Sequence, residues 1–300
     1  MSISSLPESF TRNVIGAFPG GESWLKSLPA LVRHCEDRWQ ITCGHPFELS
    51  FNYVVPATTV DGRSVVLKLG VPNPELNAEI ASLRIFDGRG AVRLLEADVE
   101  KGILLIERVS PGDVLASVSD DDQATRVAAQ TMRNLWRPVP ASALLPTVSL
   151  WAGGFQRLRK RFSGGTGPLP ATLVDRAERL FSELLSSATT LVVLHGDLHH
   201  FNILLGSEGW VAVDPKGVIG EPAFEVAALL ENPNPERWGS TSVQRRRIDI
   251  LQEELGLDRD RMLGYGFAAA VLSSWWVLED SGEDWQSACA CAEALLSLMR

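Results

Sequence analysis

The sequence predicts a two-lobed α+β protein: a small antiparallel sheet with one helix, then a larger, mainly helical lobe. Two patterns carry that expectation. Strand-like runs punctuated by turn residues fill the chain up to about residue 107, and helical periodicity dominates after it. A third observation points to chemistry. The stretch LHGDLHHFNILL, residues 194–205, puts three of the five histidines beside one Asp and one Asn, with leucine on both sides. Polar groups that dense are costly to bury unless they are paired or bind something. The expected division is an N-terminal segment and small lobe at 1–106, and a helical lobe at 107–300.

Each element has a local reason. FELSFNYVV (47–55) and SVVLKLG (64–70) are β-rich runs on either side of Asp61-Gly62, a strong hairpin signal. In VPNPELNAEIASLRIF, Asn73 can cap a helix that has Pro74 at its first position. Ile80, Leu83 and Phe86 then share one face, and Glu79 can turn back toward the hairpin. AVRLLEAD and GILLIERV supply two more strands, and ERVSPGDVL (107–115) is a connector. Helices are expected at 122–136, 150–162, 170–187, 242–255 and 258–279, with a last one running to the C-terminal arginine. Within the helical lobe, NILLGSEGWVAVDPKG reads as a hairpin. If Leu205 stands opposite Trp210, Asn202 stands opposite Val213 and an Asn and an Asp meet at one mouth.

Composition narrows the classes. Apolar residues make up 45% and charged residues 22%, ample for a core. Net charge is 28 − 37 = −9, which argues against a nucleic-acid surface and favours a cationic small molecule. The first residues lack the basic start and apolar run of a signal peptide, and the greasiest segment, 265–278, falls short of a membrane span of roughly 20 residues. A cytoplasmic, monomeric protein is expected, with no membrane partner. Cys35, Cys43, Cys289 and Cys291 lack zinc spacing and read as reduced thiols.

Asp and Asn oxygens are hard ligands suited to magnesium, which borrows the rest of its shell from phosphate and water. Asp197 precedes Asn202 by the Asp-to-Asn spacing of a kinase catalytic loop. These residues, with VDPKGVIGEPAFEVAALLENP, VVLKLG, GAVRLLEAD and RRRIDILQEELGLDRDRMLGYGFAAAVLSSWW, resemble the aminoglycoside and hydroxyurea resistance kinases, close to the streptomycin 6-kinases, within the protein-kinase-like fold. The resemblance runs from about residue 47 to 285. It implies an ATP- and Mg²⁺-dependent phosphotransferase acting on a hydroxyl of a small cationic acceptor, an aminoglycoside such as streptomycin or an amino-sugar.

By that resemblance Asp197 is the base, Asn202 and Asp214 hold Mg²⁺, and Lys68 meets the ATP phosphates, held by Glu79. His195 and His199 shape the catalytic loop, and Glu107, Arg108 and Val109 form the hinge beside adenine. The family's Gly-rich phosphate loop is replaced by LSFNYV, so Ser50 and Asn52 would make its contacts. The acceptor would lie against the C-terminal helices, where WWVLEDSGEDW offers Trp275, Glu279, Asp280, Glu283 and Asp284. Ser281 can cap a helix with Asp284 in its first turn, whereas Glu279 and Asp280 close a helix whose dipole disfavours them.

Rival readings stand beside these. Lys68 can be a snorkelling edge lysine and Glu79 a solvated helix residue. Lys216 can reach phosphate or solvent, and Glu225 can orient the catalytic loop or lie on the surface. A kinase of a sugar or amino-sugar metabolite fits the same scaffold. From a different class, His195, Asp197, His199 and His200 have the crowding of a metal-dependent hydrolase, a reading that leaves Lys68, Asn202 and Asp214 without roles.

Overall fold

A computed structural model describes residues 6–280 and 285–299. The chain divides into two compact units, one of Met1–Gly88 with Val92–Val109, the other of Arg89–Ala91 with Ser110–Arg300. No described helix is long and apolar enough to cross a membrane.

The first unit begins with α1 (Glu8–Ala17) and α2 (Gly21–Trp39), followed by β1 (Ile41–Cys43), β2 (Tyr53–Thr59), β3 (Ser64–Leu69), α3 (Pro74–Phe86), β4 (Leu94–Asp98) and β5 (Ile103–Glu107). The five strands form an antiparallel sheet in the order β1-β2-β3-β5-β4. Central β3 is buried at every position after Ser64, which explains its unbroken apolar run, whereas β2 largely alternates buried and half-exposed residues. Asn73 caps α3 as expected, its side chain accepting from the Glu75 and Leu76 amides at 2.8 and 3.0 Å.

Two features depart from the sequence expectation. Among the described residues the unit has three helices rather than one, because α1 and α2 precede the sheet. Phe10, Trp24, Leu28 and Val32 from these helices join Tyr53, Val55, Leu67 and Leu69 in one core cluster. The strand predicted at 47–55 starts at Tyr53, because the chain bends at 50–52 and the Phe47 amide closes that loop on the Val54 carbonyl at 3.0 Å.

The second unit opens with β6 (Pro111–Val114), α4 (Asp121–Leu135) and β7 (Arg137–Pro138), then α5 (Val148–Ala152), α6 (Gly154–Arg161) and α7 (Ala171–Ser186). Four strands follow, β8 (Val192–Leu194), β9 (Ile203–Gly206), β10 (Gly209–Ala212) and β11 (Val218–Gly220). Its last elements are α8 (Val226–Leu230), α9 (Pro235–Trp238), α10 (Thr241–Leu255), α11 (Arg259–Asp280) and α12 (Trp285–Leu296). Two small sheets, β10-β9-β6 and β11-β8-β7, sit among these helices. The helix expected at 150–162 breaks into α5 and α6. A Cβ on Gly154 would lie 2.6 Å from a Leu272 methyl and 3.1 Å from the Trp276 indole nitrogen, so the chain passes close against the side chains of α11 there.

Helix α11 is the spine of this unit, buried from Met262 through Leu272. Phe181 stacks on Phe224 at 6.0 Å, and both meet Tyr265 edge-on at 5.9 and 5.7 Å.

Candidate active site

Strands β8, β9 and β10 hold the polar loop between them. The hairpin closes with Trp210 opposite Leu205 and Ala212 opposite Ile203, and the Val213 amide donates to the Asn202 carbonyl at 2.9 Å. Asn202 therefore stands opposite Val213, beside Asp214, as its sequence register predicts. Asp214 itself adopts φ +57°, a left-handed conformation that costs most residues energy but that Asp and Asn tolerate.

The loop is fixed from beneath by one side chain. Glu225 is 1% exposed, and its two oxygens accept the His195 and Gly196 amides at 2.8 Å each. Burial raises the Glu225 pKa to about 7, against the lowering influence of those two donors. Gly196, at φ +83°, is required here: an added Cβ would lie 2.7 Å from the Trp151 ring and 2.8 Å from a Val218 methyl.

The histidines are scaffolding. His195 Nε2 lies 2.8 Å from the Val213 carbonyl, which can only accept, so that nitrogen carries the proton. The bare Nδ1 then accepts the Asp197 amide at 3.2 Å. Burial lowers the His195 pKa to about 4, so the ring is neutral. His199 accepts the Phe201 amide on Nδ1 at 3.2 Å and brings Nε2 to 3.7 Å from an Asp197 carboxylate oxygen. Burial lowers its pKa despite the opposing pull of Asp197. His200 is buried, and neither ring nitrogen has a partner among the described residues.

With His195 committed on both nitrogens, and no cluster of three His, Cys, Asp or Glu among the described residues able to hold a metal, the hydrolase reading finds no support. Asn202 instead turns its amide nitrogen to the Asp197 carbonyl at 2.9 Å, leaving Oδ1 as the side chain's ligand atom. That oxygen and the Asp214 carboxylate are a donor set that fits a hard divalent cation. Lys216 lies near enough for its charge to lower the pKa of both His195 and His199.

Asp197 also opens into a cavity of about 560 Å³ within the second unit. Its walls include Trp151, Phe224, Trp238, Leu272 and Trp276, and its polar lining includes His199, Ser273 and a second carboxylate, Glu231. The segment bearing Glu231 is pinned by α10. Fully buried Arg247 donates to the Leu229 and Asn232 carbonyls at 3.1 and 2.6 Å while pairing with Asp121, and Gln244 donates to the Leu230 and Trp238 carbonyls at 2.8 Å.

In the first unit, Lys68 Nζ lies 2.8 Å from both Glu79 oxygens, and both side chains are buried. Neither is the solvated residue of the rival reading. Glu107 ends β5 opposite Val65, with exposed Arg108 and half-exposed Val109 following it. Exposed Ser50 and half-buried Asn52 lie in the bend before β2, where the Ser50 carbonyl accepts from Asn13 at 3.3 Å.

The expected acceptor residues are not brought together. Trp275 is fully buried, edge-on to Phe162 at 6.3 Å, and its neighbour Trp276 lines the cavity instead. Glu279 is held by Arg157 at 3.1 and 3.0 Å, and neither it nor exposed Asp280 lines the cavity. Glu283 and Asp284 lie outside the described residues. Glu231, Trp151, Trp238 and Trp276 were not singled out by the sequence, and no local pattern around them marks a site.

A sequence model of the aminoglycoside/hydroxyurea antibiotic resistance kinase family matches residues 38–281. The chain is 35% identical to a streptomycin 6-kinase of Streptomyces glaucescens, covering 93% of this chain and 94% of that one. It is 32% identical to a hydroxyurea phosphotransferase of Kitasatospora aureofaciens, covering 87% and 76%. In structure it is similar to a choline/ethanolamine kinase family protein from Mesorhizobium loti, with a TM-score of 0.64 at 14% identity over 91% of this chain and 95% of that one, which supports the protein-kinase-like fold. A family match through both units, joined to relatives aligned along nearly the whole length, makes the chain a phosphotransferase of the aminoglycoside/hydroxyurea antibiotic resistance kinase family.

Proposed function

We propose that this enzyme transfers the γ-phosphoryl group of ATP to a hydroxyl of a small cationic acceptor, with streptomycin the first candidate. One observation carries the reading: Asp197 lies in the wall of a cavity of small-molecule size, on the loop that also presents Asn202. The streptomycin 6-kinase relative supports the choice of acceptor.

In the proposed reaction the acceptor oxygen attacks the γ-phosphorus as the bond to the β–γ bridging oxygen breaks. ADP leaves, and Asp197 takes the hydroxyl proton. His199 steadies the Asp197 carboxylate, and His195 with Glu225 fixes the backbone that presents it. Asn202 and Asp214 would hold magnesium, which supplies neutralisation of phosphate charge when bound. Lys68, held by Glu79, would meet phosphate oxygens, with Ser50 and Asn52 adding contacts from the bend. The backbone of Glu107, Arg108 and Val109 would meet adenine.

The test is ADP release measured over streptomycin, related aminocyclitols, hydroxyurea and simple sugars. Wild-type turnover with streptomycin is expected, falling roughly 10²- to 10⁴-fold in Asp197→Asn while ATP affinity holds. Full activity in that variant would refute the assignment of the base.

A further inference from the structure

The cavity contains a carboxylate that phosphoryl transfer does not use. Glu231 follows the last residue of α8, at the end of a helix where the backbone dipole disfavours negative charge. Its surroundings are no kinder. The cavity is lined by Trp151, Trp238, Trp276 and Leu272, and its described lining includes no Lys or Arg. Glu231 takes a hydrogen bond from Ser273, and among the described residues the only charge acting on it is that of Asp197, with no cation beside it. The residue keeps some surface on the cavity wall, but its carboxyl group is enclosed, and burial followed by the charge of Asp197 raises its pKa to about 7.

A carboxylate in an apolar, aromatic cavity without a basic partner destabilises the free protein and is complementary to an incoming cation. Guanidinium fits the remaining features best. Its planar fork can bond both oxygens of one carboxylate, and its face can lie on an indole, of which this cavity offers three. The other carboxylate, Asp197, cannot serve as that anchor and still receive the acceptor's proton. The segment carrying Glu231 is also held rigidly by Arg247 and Gln244, so the anchor is placed before the ligand arrives.

We propose that Glu231 is a specificity-determining residue that binds a guanidinium group of the acceptor within the tryptophan-lined cavity, and so selects cationic acceptors over neutral ones. This rests on the cavity being the acceptor site. It also assigns to Glu231 the cation-binding role that the sequence suggested for Glu279 and Asp280.

The experiment reads binding and turnover separately. Tryptophan fluorescence of the full-length protein is titrated with streptomycin, without nucleotide, in wild type, Glu231→Gln and Glu231→Asp. Half-saturation is expected to rise tenfold or more in Glu231→Gln, the loss of one charge-assisted contact, and to lie between the two in Glu231→Asp, which keeps the charge but shortens its reach. With ATP and magnesium, KM for streptomycin should rise in the same order, kcat should change less than threefold, and KM for ATP and for hydroxyurea should hold. If wild type fails to bind streptomycin, or binds it no better than both variants, the anchor is overturned. If wild type binds streptomycin tenfold better than Glu231→Gln but does not phosphorylate it, the anchor stands and streptomycin falls as the substrate. Should Glu231→Gln fail to fold, the Glu231→Asp titration decides alone.

Discussion

Glu225 holds the loop that presents Asp197 through two parallel hydrogen bonds, 2.8 Å to the His195 amide and 2.8 Å to the Gly196 amide. A carboxylate is acceptor-only, so it matches two converging N–H groups; an amide of the same shape turns one donor onto a donor. Glu225→Gln is therefore expected to cost about 1–3 kcal/mol of stability, the penalty for one unsatisfied buried donor. A tenfold or greater fall in kcat should accompany it as the loop shifts. Urea unfolding and steady-state kinetics check both, and an unchanged midpoint with unchanged kcat would remove Glu225 from any positioning role.

Asp214 shows why the replacement must be chosen by backbone as well as by charge. At φ +57°, alanine would add strain to the loss of the carboxylate, whereas asparagine accepts that conformation. Asp214→Asn is expected to weaken magnesium-dependent ATP binding at least tenfold by calorimetry. Asn202→Ala should do so less, since a neutral amide oxygen makes the weaker bond. Equal ATP affinity in wild type and Asp214→Asn would mean the metal is held elsewhere.

What could be read from the sequence were elements governed by near neighbours. The Asn73 cap, the β2–β3 hairpin and the 202–213 register follow from local turn and capping chemistry, and the structure has all three. Helix α2 obeys a helical period at Trp24, Leu25, Leu28, Val32 and Cys35, but Pro29 inside it argues locally against a helix. The cavity beside Asp197 was hidden for a different reason. Its walls come from α5, α8, α9, α11 and α12, and α11 is buried on so many sides that periodicity does not say which of Trp275 and Trp276 faces a cavity. Glu279 looked like a misplaced charge because its partner, Arg157, is 122 residues away.

His200 is a buried imidazole with neither nitrogen paired among the described residues, and burial lowers its pKa to about 3. The unfolded chain binds a proton near pH 6.5, so between those values it holds more protons than the folded chain. The contribution of this ring to stability is thus complete above about pH 6.5 and is lost as pH falls through that window toward about 3. His200→Leu is expected to be neutral or stabilising at pH 7, because it removes two unsatisfied polar atoms. Relative to wild type it should gain roughly 2 kcal/mol more at pH 5, since about 1.5 pH units separate that pH from the unfolded pKa. Urea unfolding of both proteins at the two pH values measures this, and parallel losses would show that His200 is protonated in the fold.

Glu279 gives the last expectation, and it separates a surface ion pair from an acceptor contact. Its carboxylate makes a two-pronged contact with Arg157, yet the guanidinium side chain is 52% exposed, so solvent screening leaves the pair worth about 0–1 kcal/mol. Asp280 is exposed, and its charge, like that of Glu279, raises the Arg157 pKa. Both acids thus act on α6 rather than on the cavity. The double variant Glu279→Gln with Asp280→Asn should lose at most about 1 kcal/mol of stability, most of it recoverable in 0.5 M salt, where wild type loses the same pair to screening. KM for a guanidinium-bearing acceptor should stay within twofold of wild type. A tenfold rise in that KM with KM for ATP unchanged would return these two residues to the acceptor site, and would mean that the acceptor extends beyond the cavity that holds Glu231 and Asp197.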